Sequence, residues 1–276
     1  IIENIPGVRD VAVSSNILRS MGASIRMLSK NTYEIDCSHI DIDSVPADAF
    51  RKMRAAYYLL GAELGRMGRA KVGFPGGCDF GVRPIDLHVK AFEALGATVN
   101  VGSGCLEAVC DPEQGLCANS IYFDCCSVGA TINTMLAAVL AKGMTVIENA
   151  AHEPHIVDTA NFLNACGADI SGAGTDVIKI RGVESLKGGT YAIIPDQIEA
   201  GTYLAAVTAA GGNVLGKNVI PKHMDCITSK LAEMGVKVIN YDDAIRVIRT
   251  GKLRRTTVKT RPYPGFPTDM QAQICV

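Results

Sequence analysis

A six-residue phrase recurs four times along the chain, and its spacing constrains the fold more than any other feature of the sequence. Each copy ends in a glycine followed by alanine or valine; the glycines are Gly22, Gly96, Gly167 and Gly235, which lie 74, 71 and 68 residues apart. Apolar residues at helical intervals precede each glycine, and a strand–turn–strand pattern follows it. The sequence therefore predicts a repeated unit in which a left-handed glycine ends a helix and a β-hairpin follows.

A short apolar strand that ends in asparagine precedes three of these helices, at residues 1–4, 146–149 and 215–218. The predicted unit is thus a strand, a loop, a helix and a hairpin, and the clearest hairpin strands are expected at residues 24–28, 32–36, 237–240 and 244–248. Further helices are expected between copies, at residues 47–67, 128–141 and 197–210. Sheets with helices packed on one side predict an α/β (or α+β) architecture. A repeat scaffold without chemistry remains an alternative at this point.

Both ends of the sequence look like cuts within a longer protein. Residue 1 is not methionine and already lies inside a predicted strand. Residues 268–276 are typical of a helix that starts with Thr268 as its N-cap and stops after about two turns. We therefore expect the chain to be a fragment.

Composition excludes several classes of protein. With 48% hydrophobic and 20% charged residues the chain can bury a core, and a net charge of −1 provides no bulk field for nucleic acid or an anionic membrane. Tryptophan is absent and no apolar run reaches the length of a membrane span, so neither a base-stacking surface nor a spanning helix is expected. The ten cysteines form no C-x-x-C pair, which favours a reducing cytoplasm.

Two groups of residues have a weak likeness to metal sites. Cys105, Cys110 and Cys117 lack the usual zinc spacing. His152 and His155 flank Pro154, which is expected to start a helix and so to leave the two imidazoles in a turn rather than on one helix face. We expect no metal site.

Residues 73–84 combine four glycines and two prolines around Cys78, which predicts an exposed loop with a thiol at its tip. Arg83 and Arg54 could lower the pKa of this thiol and attract an anion, whereas Asp79 would act in the opposite direction. From these residues alone, a reactive thiol and an incidental loop cysteine both remain open. Arg54 lies beside the apolar stripe of its predicted helix and could equally be a solvated surface residue.

Two helix starts could also carry chemistry. Ser127 is a predicted N-cap, and the residues after it, Val128 and Gly129, leave free N–H groups that suit a phosphate. Asp269 lies in the first turn of the last predicted helix, where it could act as a base or only complement the helix dipole. An ordinary capped helix is the alternative in each case.

Taken together, these segments resemble the UDP-N-acetylglucosamine 1-carboxyvinyltransferases, a family of enolpyruvyl transferases, along essentially the whole chain. The motifs that carry the resemblance are P-G-G-C-x-x-G-x-R-P-x-D-L-H at 75–88, S-V-G-A-T at 127–131, E-N-A-A-x-E-P at 148–154, G-A-G-T-D at 172–176 and F-P-T-D-M-Q-A-Q at 266–273. The resemblance implies two inside-out α/β barrels, each of three βαβαββ units. Residues 1–194 would form most of the loop-bearing domain, and residues 195–276 the start of the second.

The reaction implied by the resemblance transfers the enolpyruvyl group of phosphoenolpyruvate to the 3-hydroxyl of UDP-N-acetylglucosamine and releases phosphate. No metal, cofactor, nucleic acid or membrane takes part. Cys78 matches the family's general acid, which also forms an adduct with phosphoenolpyruvate, and Asp269 matches the carboxylate that deprotonates the sugar hydroxyl. The substrate-binding residues implied are Arg54, Arg83, Pro84, Ile85, Asp86, Leu87, Ser127, Val128 and Gly129. The resemblance further implies a cytoplasmic role in peptidoglycan precursor synthesis, and hence in cell-wall biogenesis, cell shape and division, and sensitivity to fosfomycin.

The chain departs from the family pattern at three positions. Many members carry lysine at Cys125, arginine at Gln197 and glutamate at His155, so two basic groups near the nucleotide are replaced. The family's Lys-Asn pair would lie upstream of Ile1 and a further arginine beyond Val276, so we expect this chain alone not to turn over. The alternatives are the related shikimate-pathway enolpyruvyl transferase, which lacks the cysteine loop, and a UDP-sugar-binding or structural domain.

Overall fold

The computed structural model describes residues 1–41, 54–73, 85–102 and 104–276, apart from the side chain of Arg54. Within these residues the chain forms two compact units, Ile1–Ile193 and Ile194–Val276.

The first unit contains all the described strands up to residue 192. They are β1 (Ile2–Glu3), β2 (Ser24–Ser29), β3 (Thr32–Asp36), β4 (Arg69–Gly73), β5 (Ala97–Gly102), β6 (Cys105–Cys110), β7 (Ser120–Tyr122), β8 (Met144–Glu148), β9 (Asp169–Ser171), β10 (Val177–Arg181) and β11 (Tyr191–Ala192). Its α-helices are α1 (Arg9–Ser20), α2 (Tyr58–Met67), α3 (Asp86–Ala94), α4 (Val128–Ala138) and α5 (Pro154–Ala165), and a 3-10 helix at Arg54–Tyr57 precedes α2.

The second unit has the same order of elements as one repeat of the first unit, for example α2, β4, α3, β5 and β6. It contains α6 (Gln197–Ala210), β12 (Gly212–Lys217), α7 (Asp225–Glu233), β13 (Lys237–Asn240), β14 (Ala244–Arg249) and α8 (Gln271–Cys275), with 3-10 helices at Pro221–Met224 and Thr268–Met270. Its core joins the apolar faces of α6, α7 and β14, represented by Leu204, Ile227, Leu231, Ile245 and Val247.

The predicted repeat is confirmed by the pairing of the strands. In all four described copies the first strand pairs antiparallel with the second strand of the hairpin, which gives the orders β1-β3-β2, β4-β6-β5, β8-β10-β9 and β12-β14-β13. The four repeat glycines have left-handed φ angles of 103°, 92°, 100° and 93°, as expected of residues that end a helix before a hairpin. The α/β repeat architecture is therefore the one the sequence predicts.

The asparagines that end the first strands have a structural role. Asn4, Asn149 and Asn218 have φ angles of 62°, 56° and 55°, a left-handed conformation that asparagine tolerates better than most residues. The Nδ2 of Asn4 donates to the Ile193 carbonyl over 2.9 Å, and that of Asn149 to the Phe123 carbonyl over 2.8 Å. Each acceptor follows the strand that pairs parallel with the first strand of the copy: β11 beside β1, and β7 beside β8. Asn4 and Asn149 thus adopt a turn conformation at the end of the first strand, and each holds the neighbouring parallel strand by a side-chain hydrogen bond.

Helix α4 lies in the interior of the first unit, and strands such as β10 cover the core with one face. Most residues of α4 are buried on every side, namely Ala130, Thr131, Ile132, Asn133, Thr134, Met135, Ala137 and Ala138. The strands instead alternate: in β10, Ile178 and Ile180 are buried while their neighbours face solvent. A helix that is apolar around its whole circumference belongs in a core, whereas a half-buried strand covers one.

The bounds of some elements differ from the sequence-based expectations, and one expected helix is described only in part. The helix expected at 47–67 is described only from Arg54, where a 3-10 turn leads into α2. The helix expected at 128–141 ends at Ala138, because Ala141 and Lys142 leave the helix and the backbone of Lys142 pairs with Leu116 and Ala118. Thr268 is the first residue of a 3-10 helix rather than an N-cap, and its side chain caps no backbone N–H.

The crossing of α2 and α4 is close because α2 has glycines where it meets α4. A Cβ added at Gly61 would overlap the carbonyl oxygen of Asn133 and lie 2.9 Å from its carbonyl carbon, and the Gly61 N–H donates to Asn133 Oδ1 over 2.9 Å. No side chain can be added here without separating the two helices.

We expect Gly61→Ala to lower the free energy of unfolding by about 3 kcal/mol, because the new methyl group meets backbone that cannot rotate away. The measurement is urea unfolding followed by far-UV circular dichroism. Gly188→Ala is the matched control, since nothing lies within 4 Å of a Cβ at that position. Equal stability of the two variants would show that the helices separate at little cost.

Among the described residues, no helix has the length and apolar character needed to cross a membrane.

Candidate functional site

The first turn of α4 presents unpaired backbone donors. Ser127 is the N-cap, with φ −135° and ψ 114°, and its Oγ accepts the Ala130 N–H over 3.4 Å. Its carbonyl accepts the Thr131 N–H over 3.0 Å. In the part of the chain that the structure describes, the N–H groups of Val128 and Gly129 have no hydrogen-bond partner. Two free donors at the positive end of a helix dipole form a site that suits an anion such as phosphate.

Buried polar side chains hold this turn in place from behind. Thr131 Oγ1 donates to the Ser127 carbonyl over 2.8 Å and accepts the Ala151 N–H over 3.1 Å. Asn133 Nδ2 donates to the Gly129 carbonyl over 3.1 Å, while its Oδ1 accepts from α2. Both side chains are fully buried. The turn is therefore fixed by the chain after β8 and by a neighbouring helix.

The start of α3 lies against the same turn. Asp86 is exposed, Leu87 and His88 are buried, and the Ile85 carbonyl accepts the His88 N–H over 3.0 Å. Nε2 of His88 lies 3.1 Å from the position that a Cβ on Gly129 would occupy. The structure thus brings together two of the predicted substrate-binding stretches, Ile85–Leu87 and Ser127–Gly129.

His88 is held uncharged at neutral pH. Burial lowers the pKa of its imidazole to about 4, although the nearby Asp86 carboxylate acts in the opposite direction. Its ring also contacts that of Tyr57, with the two centroids 6.1 Å apart. His88 therefore adds no positive charge to the turn.

Two cysteines precede the turn, and their environments differ. Cys125 is exposed, whereas Cys126 is half-buried with its Sγ 3.9 Å from the Ala150 carbonyl oxygen. Burial raises the pKa of the Cys126 thiol, and the carboxylate of Glu153 raises it further. On α3, the Lys90 ammonium pairs with Asp124 over 2.7 Å. This cationic side chain of α3 is thus already paired with a carboxylate.

The candidate metal residues serve other contacts. His152 Nε2 lies 2.8 Å from Asp176 Oδ1, and α5 begins at Pro154 as the sequence predicts. Residues 1–41, 54–73, 85–102 and 104–276 include no group of three side chains that could hold a metal ion.

Asp269 belongs to the second unit, where it is exposed between two buried anchors. Phe266 and Met270 are buried, and Met270 packs against α6 so closely that a Cβ on Gly201 would lie 2.9 Å from its sulfur. The Phe266 carbonyl accepts the Arg261 N–H over 3.0 Å. Thr268 Oγ1 lies 3.4 Å from Asp269 Oδ1. A fixed backbone therefore presents an exposed carboxylate to its surroundings.

Other predicted site residues are not placed by the structure. Cys78, Arg83 and Pro84 lie outside the described residues, and Arg54 is described only as the first residue of its 3-10 helix.

Sequence reasoning missed three residues of the site, namely Thr131, Asn133 and His88. A signal for the first two existed, because a threonine and an asparagine in a helix that is otherwise apolar are typical of buried polar groups with partners. His88 is the last residue of the motif at 75–88, which also contains Ile85, Asp86 and Leu87.

Comparison with known proteins places the chain in a family. The family model described as EPSP synthase (3-phosphoshikimate 1-carboxyvinyltransferase) matches residues 1–276. The chain belongs to this family. The predicted membership of the enolpyruvyl transferases is thereby confirmed.

Close relatives carry the name that the sequence motifs suggested. The chain is 54% identical over 271 residues to UDP-N-acetylglucosamine 1-carboxyvinyltransferase 2 of Clostridium acetobutylicum, a match that covers 98% of the chain and 64% of the relative. It is also 54% identical to the enzyme so named from Clostridium botulinum, and 51% identical to a third from Caldanaerobacter subterraneus. The chain spans 64% to 65% of the length of these relatives.

Solved structures share the fold of the chain. A crystal structure of an enolpyruvyl transferase from Streptomyces tendae matches with a TM-score of 0.81 at 24% identity, covering 99% of this chain and 65% of that one. An EPSP synthase from Acinetobacter baumannii matches with a TM-score of 0.66 at 19% identity, covering 90% and 58%. The fold of the chain is therefore that of the enolpyruvyl transferases, as the resemblance implied.

Proposed function

We propose that the whole protein transfers the enolpyruvyl group of phosphoenolpyruvate to the 3-hydroxyl of UDP-N-acetylglucosamine and releases phosphate. The observation that carries the proposal is 54% identity, over 98% of the chain, to a relative named for that reaction. The unit Ile1–Ile193 would be the loop-bearing domain and the unit Ile194–Val276 part of the second domain. The protein would act in the cytoplasm, in peptidoglycan precursor synthesis, and thereby in cell-wall biogenesis, cell shape and division.

The reaction needs two proton transfers that this chain's residues can supply. In the addition step, the sugar 3-oxygen bonds to C2 of phosphoenolpyruvate, its proton goes to a base, and the methylene carbon C3 gains a proton from an acid. In the elimination step, C3 loses a proton and the C2–O bond to phosphate breaks. We assign the base to Asp269 and the acid to Cys78, each of which suits general acid–base catalysis. Asp269 is exposed, so that a substrate hydroxyl could reach its carboxylate, and this supports its assignment as the base.

The first turn of α4 is the proposed site of the diphosphate. Its two free N–H groups can donate to phosphate oxygens, and the start of α3, with Ile85, Asp86 and Leu87, lies beside it. Arg54, Arg83 and Pro84 would complete the substrate contacts. Because Thr131 and Asn133 already fix the turn, binding would cost little ordering of the backbone.

Saturation binding and phosphate release together test the proposal. The whole protein should bind UDP-N-acetylglucosamine saturably and release phosphate from phosphoenolpyruvate only when that sugar nucleotide is present. Binding without phosphate release would instead support a binding module. Release with shikimate 3-phosphate in place of the sugar nucleotide would support the shikimate-pathway reaction.

Cys125 gives a separate prediction about affinity. Cys125→Lys should lower the Kd for UDP-N-acetylglucosamine about fivefold at low ionic strength, because a cation is added two residues before the anion-binding N-cap. The gain should shrink at about 0.5 M salt, which screens exposed charges. Isothermal titration calorimetry at the two salt concentrations measures both effects.

Cys117→Lys is the matched control for this variant. Cys117 is also exposed, but its backbone forms a bridge with that of Lys142, beyond the opposite end of α4. An equal gain from both variants would mean that net charge alone acts and that the turn is not the diphosphate site.

A further inference from the structure

His88 is the buried polar side chain at the anion-binding turn that lacks a partner. Its side chain is 8% exposed, and within the described residues neither imidazole nitrogen forms a hydrogen bond. Nδ1 is shut off from water. Thr131 and Asn133, the other buried polar residues of the turn, use their side-chain groups in hydrogen bonds with the protein. A buried polar group left unpaired is costly, so it calls for an explanation.

The position of Nε2 indicates what this group can reach. It lies 3.1 Å from the Cβ position of Gly129, and Cε1 lies 3.4 Å from it. The Cβ position and the amide nitrogen of a residue are both bonded to its Cα, so Nε2 is no more than about 6 Å from the Gly129 nitrogen. Two hydrogen bonds of about 2.8 Å to the oxygens of one phosphate group span that separation.

The tautomer follows from the surroundings of the ring. A neutral imidazole carries one N–H, and buried backbone donors without an acceptor are rarer than buried acceptors without a donor. The proton therefore belongs on Nε2, which faces Gly129, and not on the enclosed Nδ1. Asp86 on α3 and the phenol of Tyr57 are the titratable groups beside the ring among the described residues, and the first turn of α4 contributes none.

We propose that His88 is a further ligand residue of this turn, whose Nε2–H donates a hydrogen bond to a phosphate oxygen of the nucleoside diphosphate held by Val128 and Gly129. The inference rests on the proposed function, because it takes the diphosphate as the anion bound there. It also accounts for the glycine at position 129, because a Cβ there would lie 3.1 Å from Nε2 and crowd the proposed donor.

Three variants separate hydrogen bonding from packing. His88→Leu keeps approximately the volume but has no donor, His88→Gln places an amide N–H near the position of Nε2, and His88→Asn reaches only as far as Nδ1. Titration calorimetry should show that His88→Leu and His88→Asn raise the Kd for UDP and for UDP-N-acetylglucosamine about tenfold or more. His88→Gln should stay within about threefold of the wild type, and the Kd for uridine, which has no phosphate, should not change.

Several results would overturn the inference. These are an unchanged Kd in His88→Leu, equal losses in His88→Leu and His88→Gln, or a loss for uridine as large as that for UDP. Wild-type protein that binds no uridine nucleotide would overturn the proposed function as well, so the two failures are distinguishable.

A measurement on the unaltered protein covers the case in which a variant does not fold. In wild-type protein with ¹⁵N-labelled histidine, the pKa of His88 should start at about 4 and rise when UDP is added, because a bound anion favours the protonated ring. Inorganic phosphate at equal ionic strength should produce a smaller rise, and uridine none. A pKa that UDP does not move would contradict the proposal.

Discussion

Asp269→Asn in the whole protein is expected to lower kcat at least about 100-fold while leaving the Kd for UDP-N-acetylglucosamine nearly unchanged. An amide of the same shape can still accept a hydrogen bond from the sugar hydroxyl, but it cannot take up the proton. Initial rates of phosphate release give kcat, and titration calorimetry gives the Kd. Because Phe266 and Met270 anchor the backbone on either side, the substitution should not alter the loop.

Asp242→Asn is the matched control, since Asp242 is an exposed carboxylate in the turn between β13 and β14 of the same unit. It should leave kcat unchanged. If Asp269→Asn also left kcat unchanged, the carboxylate would only complement the dipole of the short 3-10 helix in which it lies. A rise in Kd equal to the fall in kcat/KM would assign it to binding rather than to proton transfer.

Fosfomycin should add to one cysteine of the ten, Cys78, and mass-spectrometric peptide mapping should find no adduct on the other nine. In this reaction the thiolate attacks an epoxide carbon, the C–O bond opens, and the resulting alkoxide takes up a proton from water. Position gives part of the selectivity, because arginines such as Arg83 would hold the phosphonate near the thiol. UDP-N-acetylglucosamine, the second substrate of the proposed reaction, should accelerate the labelling.

The other source of selectivity is the lower reactivity of several competing thiols. Burial raises the pKa of half of the cysteines, which leaves less of the reactive thiolate at neutral pH: Cys37, Cys110, Cys126, Cys166 and Cys226.

Two substitutions of the loop thiol complete this prediction. Cys78→Asp should abolish labelling and keep some turnover, since a carboxyl group can still donate a proton, whereas Cys78→Ser should lose more. The exposed Cys117 provides the control, because Cys117→Ser should change neither labelling nor kcat. Adducts spread over several cysteines, or a labelling rate indifferent to the sugar nucleotide, would make Cys78 an incidental loop residue.

The features of the fold that could be predicted from sequence are those determined by residues close together in the chain. The hairpin strands Thr32–Asp36 and Lys237–Asn240 have the predicted bounds, as does the helix Gln197–Ala210. Alternating apolar residues and a left-handed glycine specify such elements with little help from the rest of the chain. The asparagine that follows three of the four first strands was also visible in the sequence. Its bond to a neighbouring strand was not, because the partner lies 26 or 189 residues away.

The features that could not be predicted depend on contacts distant in sequence. The end of α4 at Ala138 is set by pairing of Lys142 with the segment around Leu116, and nothing in the apolar run from Met135 onward marks that point. In the site, motifs identified Ser127–Gly129 and Ile85–Leu87 separately. That they face each other across His88 and Gly129 follows only from the packing of α3 on α4, which no spacing in the sequence encodes.

The burial of α4 determines how its backbone should exchange hydrogen with solvent. A helix enclosed on all sides cannot fray alone, so the amides from Ile132 to Ala138 should exchange only through global unfolding of the first unit. The amides of Val128 and Gly129, at the open end of the same helix, should exchange orders of magnitude faster. A bound nucleotide should slow exchange at those two amides directly and should slow the protected amides only through its effect on global stability. The turn proposed to bind the diphosphate therefore keeps its backbone conformation for as long as the first unit stays folded.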